Sequence, residues 1–375
     1  MLDPRDAQDL AQIITDAGAR GTPLELRGGG TKADFGAPRE AEVVSLTALT
    51  GVVDYDPAEL VLTVRPGTPL ADVQALVAAE GQMLAFEPYG APGATIGGAI
   101  AAAVAGSRRV TAGSARDHLL GFTAISGRGE SFVAGAKVVK NVTGYDLPKL
   151  MAGSWGRLGA MTELTLKVLP APRCTVTLMA EGLMAEAAHA LMAAALGSNA
   201  DVSAAAHLAY GITLLRVAGF APSVEYRCNA LPKLMTAHGT FSRLDGAEAA
   251  PLWHEAMTGN ALHGAIRWRV HLPPRRAPEL VARFGTQWAM DWGGGQVWIA
   301  LDDTGTALRE AAAALGGEAV LMQAPPEMRT RVPAFQPRAP GVMALEARVR
   351  RAFDPLGVFA TARFAEDAHA DQLPA

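Results

Sequence analysis

The chain has 375 residues, enough for two or three domains with cores of their own. Half of the residues are hydrophobic and 19% are charged, which excludes a disordered or charge-driven chain, and a net charge of −4 gives no footing for a nucleic-acid partner. No apolar run reaches the ~18 residues that span a bilayer, and the two cysteines, Cys174 and Cys228, support neither a disulfide framework nor a CxxC metal site.

Asp3, Asp6 and Asp9 stand where a signal peptide would be basic, so the expectation is a cytoplasmic protein. Asp3-Pro4 reads as the start of a first helix, with Leu10, Ile13 and Ile14 at helical spacing and Gly18 and Gly21 at its end. Short strands follow at 24–27, 43–46, 52–55 and 61–65, and Thr68-Pro69 opens a second helix that presents Leu70, Val73, Leu76 and Val77. From Pro88 to Gly159 small residues dominate, with strands at 121–125 and 131–133 around the turn Gly127-Arg128-Gly129-Glu130. A strand at 161–168 precedes Pro170-Ala171-Pro172, which reads as a domain boundary. Beyond it the order strand, helix, strand, strand, helix occurs over 175–235 and again over 265–322, as if one α+β unit were used twice. A proline-rich connection, 323–340, leads to a last helix at 342–353.

Glycines gather in three places. Arg27, Gly28, Gly29, Gly30, Thr31 and Lys32 directly follow a strand, and consecutive glycines let amides converge on one anion. Gly28, Gly30 and Ala33 fit a GxGxxA dinucleotide fingerprint, but Gly36 and Pro38 follow where that fingerprint requires a helix, and no Gly-Lys-Ser/Thr occurs for a P-loop. The second cluster, Pro92, Gly93, Ala94, Thr95, Ile96, Gly97 and Gly98, does precede a helix-compatible run of small residues. Bare amides at a positive helix end suit a pyrophosphate there; tight packing of small residues is the alternative. Gly113, Ser114, Arg116 and Asp117 continue this region. The third cluster is Lys140-Asn141-Val142-Thr143-Gly144-Tyr145-Asp146, then Gly153-Ser154-Trp155-Gly156-Arg157-Leu158-Gly159 before Met161.

The order Arg-Gly-Gly-Gly-Thr, Pro-Gly-Ala-Thr-Ile-Gly-Gly, Gly-Tyr-Asp-Leu and Gly-Ser-x-Gly-x-Leu-Gly resembles the FAD-binding domain of the vanillyl-alcohol oxidase type, over Asp3 to about Leu169 and again at Arg350 to Gly357. Within that family the 140–146 stretch and the length are similar to the FAD-binding subunits of bacterial glycolate oxidase complexes. The resemblance implies a two-lobed α+β FAD domain at 1–170, an α+β cap domain at 171–340 that covers the isoalloxazine, and a segment at 341–375 that packs back on the FAD domain. It implies that Gly28 to Thr31 and Thr95 to Gly98 line the pyrophosphate, and that Arg116, Asp117 and the loop from Trp155 to Met161 border the rest of the cofactor. Neither pyrophosphate loop holds a His or Cys, so FAD is expected without a covalent link. A larger flavin subunit and an iron–sulfur subunit are the implied partners, a small 2-hydroxy acid the substrate, and the inner face of the cell membrane the place of peripheral association through the complex. Where relatives close with Asn-Pro-Gly, this chain has Ala360-Thr361-Ala362-Arg363.

A catalytic group is harder to read. The histidines at 118, 189, 207, 238, 254, 263, 271 and 369 form no HxH, HxxxH or HExxH pattern, so no metal site is expected, and His118 beside Asp117 reads as structural. At 266–272 a period of two puts Arg267, Arg269 and His271 on one strand face, which suits a carboxylate as well as it suits solvent. Arg269 and His271 are therefore the catalytic or substrate-contact candidates. Trp288, Trp292 and Trp298 fit either a flavin wall or a core, and Met257 and Met290 read as core. Two other readings remain open: an oxidoreductase acting alone on a small carboxylate, and a subunit that holds FAD only for structure.

Overall fold

A computed structural model describes residues 1–136 and 144–365. The chain forms two units, one of Met1–Gly106, Gly113–Ala171 and the chain from Pro337 onward, the other of Ser107–Ala112 and Pro172–Gln336. Residues 107–112, expected with the first unit, thus cluster with the second.

In the first unit, helix Ala7–Arg20 buries Leu10, Ile14 and Ala17 and stops at Gly21, whose φ of 65° the left-handed C-cap requires. Its N-cap is Asp6, not Asp3, whose neighbour Leu2 is drawn into a parallel bridge with Val44, so the helix begins only after the chain leaves that pairing. The strands Leu24–Arg27 and Glu42–Ser45 pair in parallel beneath this helix and share its core with Val358 and Phe359 from the C-terminal segment. A five-stranded antiparallel sheet, in the order Val52–Asp56, Val61–Val64, Ala160–Lys167, Leu119–Ile125 and Ser131–Gly135, forms the second lobe. Helix Leu70–Ala79 and the short helix Ile96–Ala101 cover it, burying Leu70, Val73, Val77, Ile96 and Ile100.

In the second unit, eight antiparallel strands run in the order Phe241–Leu244, Cys174–Ala180, Ile212–Gly219, Val202–Leu208, Trp288–Asp291, Gln296–Leu301, Ile266–His271 and Glu318–Gln323. The repeat suggested by the sequence is a repeated topology. Each copy is strand, helix, strand, strand, helix, strand in the spatial order 4-1-3-2. The second strands of the two copies pair, His207 with Met290 and Leu208 with Ala289, so the copies join edge to edge. The crossover helices bury their apolar faces on one side of the sheet. The other side is covered in part by helix Gly246–Thr258, which packs Trp253 and Ala256 against Ala206, Leu208 and Trp298. Neither this helix nor the strand Phe241–Leu244 is expected from the pattern of residues, although Asp245 and Glu248 form a capping box and Gly259 a left-handed stop. Pro251, inside the helix, masks the helical period. A short helix, Pro326–Arg331, likewise interrupts the proline-rich connection.

His207 is 1% exposed in the middle of this sheet, with Nδ1 2.9 Å from Thr213 Oγ1. Burial pushes its pKa down from 6.5 to about 4. The unfolded chain therefore takes up a proton that the folded one refuses, so this contribution is complete above pH 6.5 and fades as pH falls toward 4. At pH 5 the fold should have lost about 2 kcal/mol from this group. Urea unfolding at pH 7 and pH 5 should show the gap, and His207→Gln should shrink it by about that amount.

Candidate functional site

The glycine segments of the first unit meet at one cavity. It contains about 840 Å³ of empty space, its mouth included, and is walled by residues 25–33, by parts of 94–102 and 155–161, and by Leu46, Pro66 and Arg363. Strand Leu24–Arg27 ends at its rim, and the chain then lies flat on the second glycine loop. A Cβ on Gly29 would stand 1.6 Å from Gly93 O, and one on Gly28 would stand 2.3 Å from Thr95 Oγ1. Only hydrogen fits between the two loops. Gly97 is pinned in the same way, its Cβ position 2.5 Å from Pro66 Cβ.

The backbone amides divide into two sets. Ile96 N donates to Thr68 O at 3.0 Å, Gly97 N to Pro66 O at 2.9 Å, and Gly98 N to Thr95 Oγ1 at 3.2 Å. The start of helix Ile96–Ala101 is thus satisfied by the chain's own oxygens, and the expected anion seat there is already filled. The amides of Gly28, Gly29, Gly30 and Thr31, by contrast, have no hydrogen-bond partner among the described residues. Four successive donors on a cavity wall make an anion-receptive stretch of backbone.

Charge follows the same pattern. Arg27, Lys32 and Arg363 line the cavity against one carboxylate, Glu25. Glu25 is 7% exposed and already binds two guanidiniums, Arg39 Nη2 at 2.5 Å and Arg27 Nη2 at 3.1 Å. Trp155 enters the wall at a φ of 57°, a conformation unusual for tryptophan, and stacks on Phe35 with centroids 4.2 Å apart. The Arg363 guanidinium lies over Trp155 at 4.9 Å.

Of the residues expected from sequence, Arg27, Gly28, Gly29, Gly30, Thr31, Ala94, Thr95, Gly97, Gly98, Trp155, Gly156, Gly159 and Met161 line this cavity. Pro92, Gly93, Ile96 and Leu158 do not: Gly93 backs the first loop, and Ile96 and Leu158 belong to the sheet core. Gly113, Ser114, Arg116 and Asp117 are also elsewhere. Asp117 Oδ2 accepts from Ser114 N and Ser114 Oγ, both at 2.8 Å, to start the short helix Ala115–His118. Burial pushes the Asp117 carboxyl up, but these hydrogen bonds and the charges of Arg116 and His118 outweigh it and hold the pKa below the usual range. His118 is buried against Phe86. The Lys140 to Thr143 stretch and His369 lie outside the described residues. Lys32, the last residue of the first glycine cluster, lines the cavity as well; Glu25 and Arg39 are not expected from the sequence, and Arg363 stands out there only as a departure from the family ending. The visible signal is Glu25-x-Arg27, two residues on one strand face.

In the second unit, Arg267, Arg269 and His271 share a strand face as expected, yet they differ in state. Arg267 is tied to Asn260 Oδ1 at 2.8 Å and Gln323 Oε1 at 2.5 Å. His271 stacks on Trp292 at 5.1 Å, with Arg109 on that indole at 4.5 Å. Burial, then Arg269 and Arg109, push the His271 pKa down to about 3, so the ring is neutral and the face is less basic than the sequence suggests. Trp288 and Trp298 are core residues. Among the described residues no three His, Cys, Asp or Glu side chains cluster as a metal site, and no helix is long and apolar enough to cross a membrane.

Comparison with known proteins agrees with this architecture. The model of the FAD binding domain family matches residues 1–135. The glycolate oxidase subunit GlcE of Escherichia coli K12 is 33% identical over 355 residues, covering 94% of this chain and 95% of that protein. The glycolate oxidase subunit GlcD of Bacillus subtilis 168 is 32% identical over 182 residues, which is 48% of this chain and 39% of that protein. Among solved structures, alkyldihydroxyacetonephosphate synthase superposes with a TM-score of 0.66 at 13% identity, over 94% of this chain and 75% of that one, a likeness of fold. The class is therefore an α+β FAD-binding oxidoreductase fold with a second α+β unit. The chain belongs to the family of FAD-binding glycolate oxidase subunits that includes GlcE.

The glycine contacts can be tested without any ligand. Gly29→Ala has no room beside Gly93 O and should cost roughly 3 kcal/mol or more. Gly21→Ala meets nothing within 4 Å, and only its φ of 65° should matter, at about 1 kcal/mol. Paired urea melts give both values.

Proposed function

We propose that this chain is the FAD-holding subunit of a glycolate oxidase-type complex, which oxidises a 2-hydroxy acid to a 2-oxo acid. The observation that carries this reading is the row of four unengaged amides, Gly28 to Thr31, in a cavity where three cationic side chains face one carboxylate. A dinucleotide's pyrophosphate diester carries negative charge on both phosphates and offers several acceptor oxygens, so the residues present fit that group. When bound, FAD supplies the two-electron acceptor for the oxidation; the protein binds, orients and shields it. Gly28 to Thr31 would hold the pyrophosphate by their amides. Thr95, Gly98, Gly156, Gly159 and Met161 would wall the adjoining part, where the absence of bulk lets a flat ligand approach the backbone. Among the described residues the cavity wall contains no His or Cys, in keeping with non-covalent binding.

The larger flavin subunit and an iron–sulfur subunit are the partners in this reading, with electrons passing from this chain to them. The complex would sit in the cytoplasm, peripheral to the inner face of the membrane. A second reading, in which this chain contacts the acid itself, draws on Arg269 and neutral His271 beside Arg109. A guanidinium can clamp the carboxylate while the uncharged imidazole accepts a hydrogen bond from the 2-hydroxyl.

Purified chain should carry FAD that acid or heat releases whole. Fluorescence left on the denatured polypeptide, or release of FMN, would count against the proposal. The isolated chain should be bleached slowly or not at all by glycolate, and co-purified larger subunit should restore turnover. In the second reading Arg269→Ala weakens oxalate binding by roughly tenfold or more, read from the flavin spectrum; equal affinities in wild type and variant would remove Arg269 from any acid site.

A further inference from the structure

We infer that Arg363, in the C-terminal segment, is the anion-receiving cation of the cavity and that it takes the phosphate charge of a dinucleotide. The inference rests on the reading of the cavity as the seat of FAD.

Arg363 is 9% exposed and lines the cavity. Its Nε donates to Phe35 O at 2.9 Å and its Nη2 to Lys32 O at 2.5 Å. Aromatic faces surround the guanidinium, Trp155 at 4.9 Å, Phe364 at 5.7 Å and Phe35 at 5.9 Å. Among the described residues Nη1 has no hydrogen-bond partner and no carboxylate forms an ion pair with this side chain. Carbonyl dipoles and ring faces orient a buried cation, but they do not neutralise it, and an uncompensated buried charge is costly.

The neighbouring charges make the deficit larger. Arg39, with a side chain only 5% exposed, and Arg27 share Glu25, and Arg157 stands on the Phe364 ring. Arg39 Nε is itself buried without a partner. Glu25 is thus committed twice over before Arg363 is counted. Burial first, then Arg39, push the Arg363 pKa down to about 10; Glu25 opposes them, and Arg27 and Arg157 add to the fall. Among the described residues Arg27 and Arg39 share Glu25 and no carboxylate pairs with Arg363, which sits at the wall that also carries the Gly28 to Thr31 amides. Backbone contacts hold this part of the tail against the first lobe: Ala37 N donates to Arg363 O at 2.9 Å, and a Cβ on Gly36 would stand 2.6 Å from that same oxygen. Arg363 and the backbone around it are therefore part of the cofactor site.

The test uses full-length apoprotein, FAD titrated by fluorescence quenching, and inorganic pyrophosphate followed by thermal shift. Arg363→Gln should weaken FAD at least tenfold and abolish the pyrophosphate shift, with the ligand-free melting temperature changed little. Arg363→Lys, which keeps the charge and loses the planar fork, should fall between. Lys32→Gln removes a cavity charge and keeps the Lys32 carbonyl to which Arg363 donates; it should weaken FAD several-fold and flatten its dependence on salt. Wild-type affinities in both Gln variants would overturn the inference, as would loss of the fold in Arg363→Gln together with no effect in Lys32→Gln. If wild type takes up pyrophosphate through Arg363 but not FAD, the anion-receiving role of Arg363 stands and the FAD reading fails; binding of neither ends both.

Discussion

The contact on which the site depends is the face-to-face packing of two glycine loops. Gly29 lies against Gly93 O at a distance no side chain tolerates, and Gly28 lies against the hydroxyl of Thr95. Because the loops touch through bare backbone, the amides of 28–31 are turned away from any strand ladder while those of 96–98 are absorbed by Pro66, Thr68 and Thr95. The glycines are thus required twice, once to let two backbones meet and once to leave donors without partners. A Rossmann site reaches the same end by aiming a helix at the phosphates. Here the short helix is bonded to its own fold, and a loop supplies the donors.

The backbone donors are not the cavity's whole positive character; buried arginines add to it. Glu25 sits under the strand end with two guanidiniums on it, and among the described residues Arg363, from the C-terminal segment, meets carbonyls and no carboxylate. A buried guanidinium held by carbonyl dipoles alone lowers folding stability. It also ties the cavity wall to docking of this segment, since Val358 and Phe359 are core residues under the same lobe.

Much of this architecture is legible in the residues. Alternation and turn signals locate the strands at 24–27, 119–125 and 160–167 to within a few residues, because buried apolar residues at period two leave little choice. The duplicated order in the second half is visible as strands and helices, though its 4-1-3-2 pairing is not, since pairing is a long-range property. Helix 246–258 is hidden by Pro251, which costs it one backbone hydrogen bond and breaks the pattern to the eye, while the packing of Trp253 and Ala256 holds the helix in place. In the site, glycine clustering points to most of the cavity wall. Ser114 and Asp117 form a local capping box outside the cavity lining, which in sequence looks like a polar ligand loop. Arg39 and Arg363 are out of reach because their roles are set by a carboxylate and two carbonyls distant in the chain.

The second unit shows what a duplicated topology leaves open. Two copies joined by their second strands place their crossover helices on one side and leave the other side to helix Gly246–Thr258 and to residues 107–112. Beyond the reach of helix Gly246–Thr258, Asp291, Gln296, His271 and Glu318 are register partners in one row, with Ser107 Oγ on Asp291 Oδ2 at 2.8 Å. Gln296 is 1% exposed and its Nε2 has no partner. Polar residues in a row across the middle of a sheet are expensive as packing, and the duplicated helices make them unnecessary for the core. Their presence on that side follows from topology: it is the face that the crossover helices do not reach.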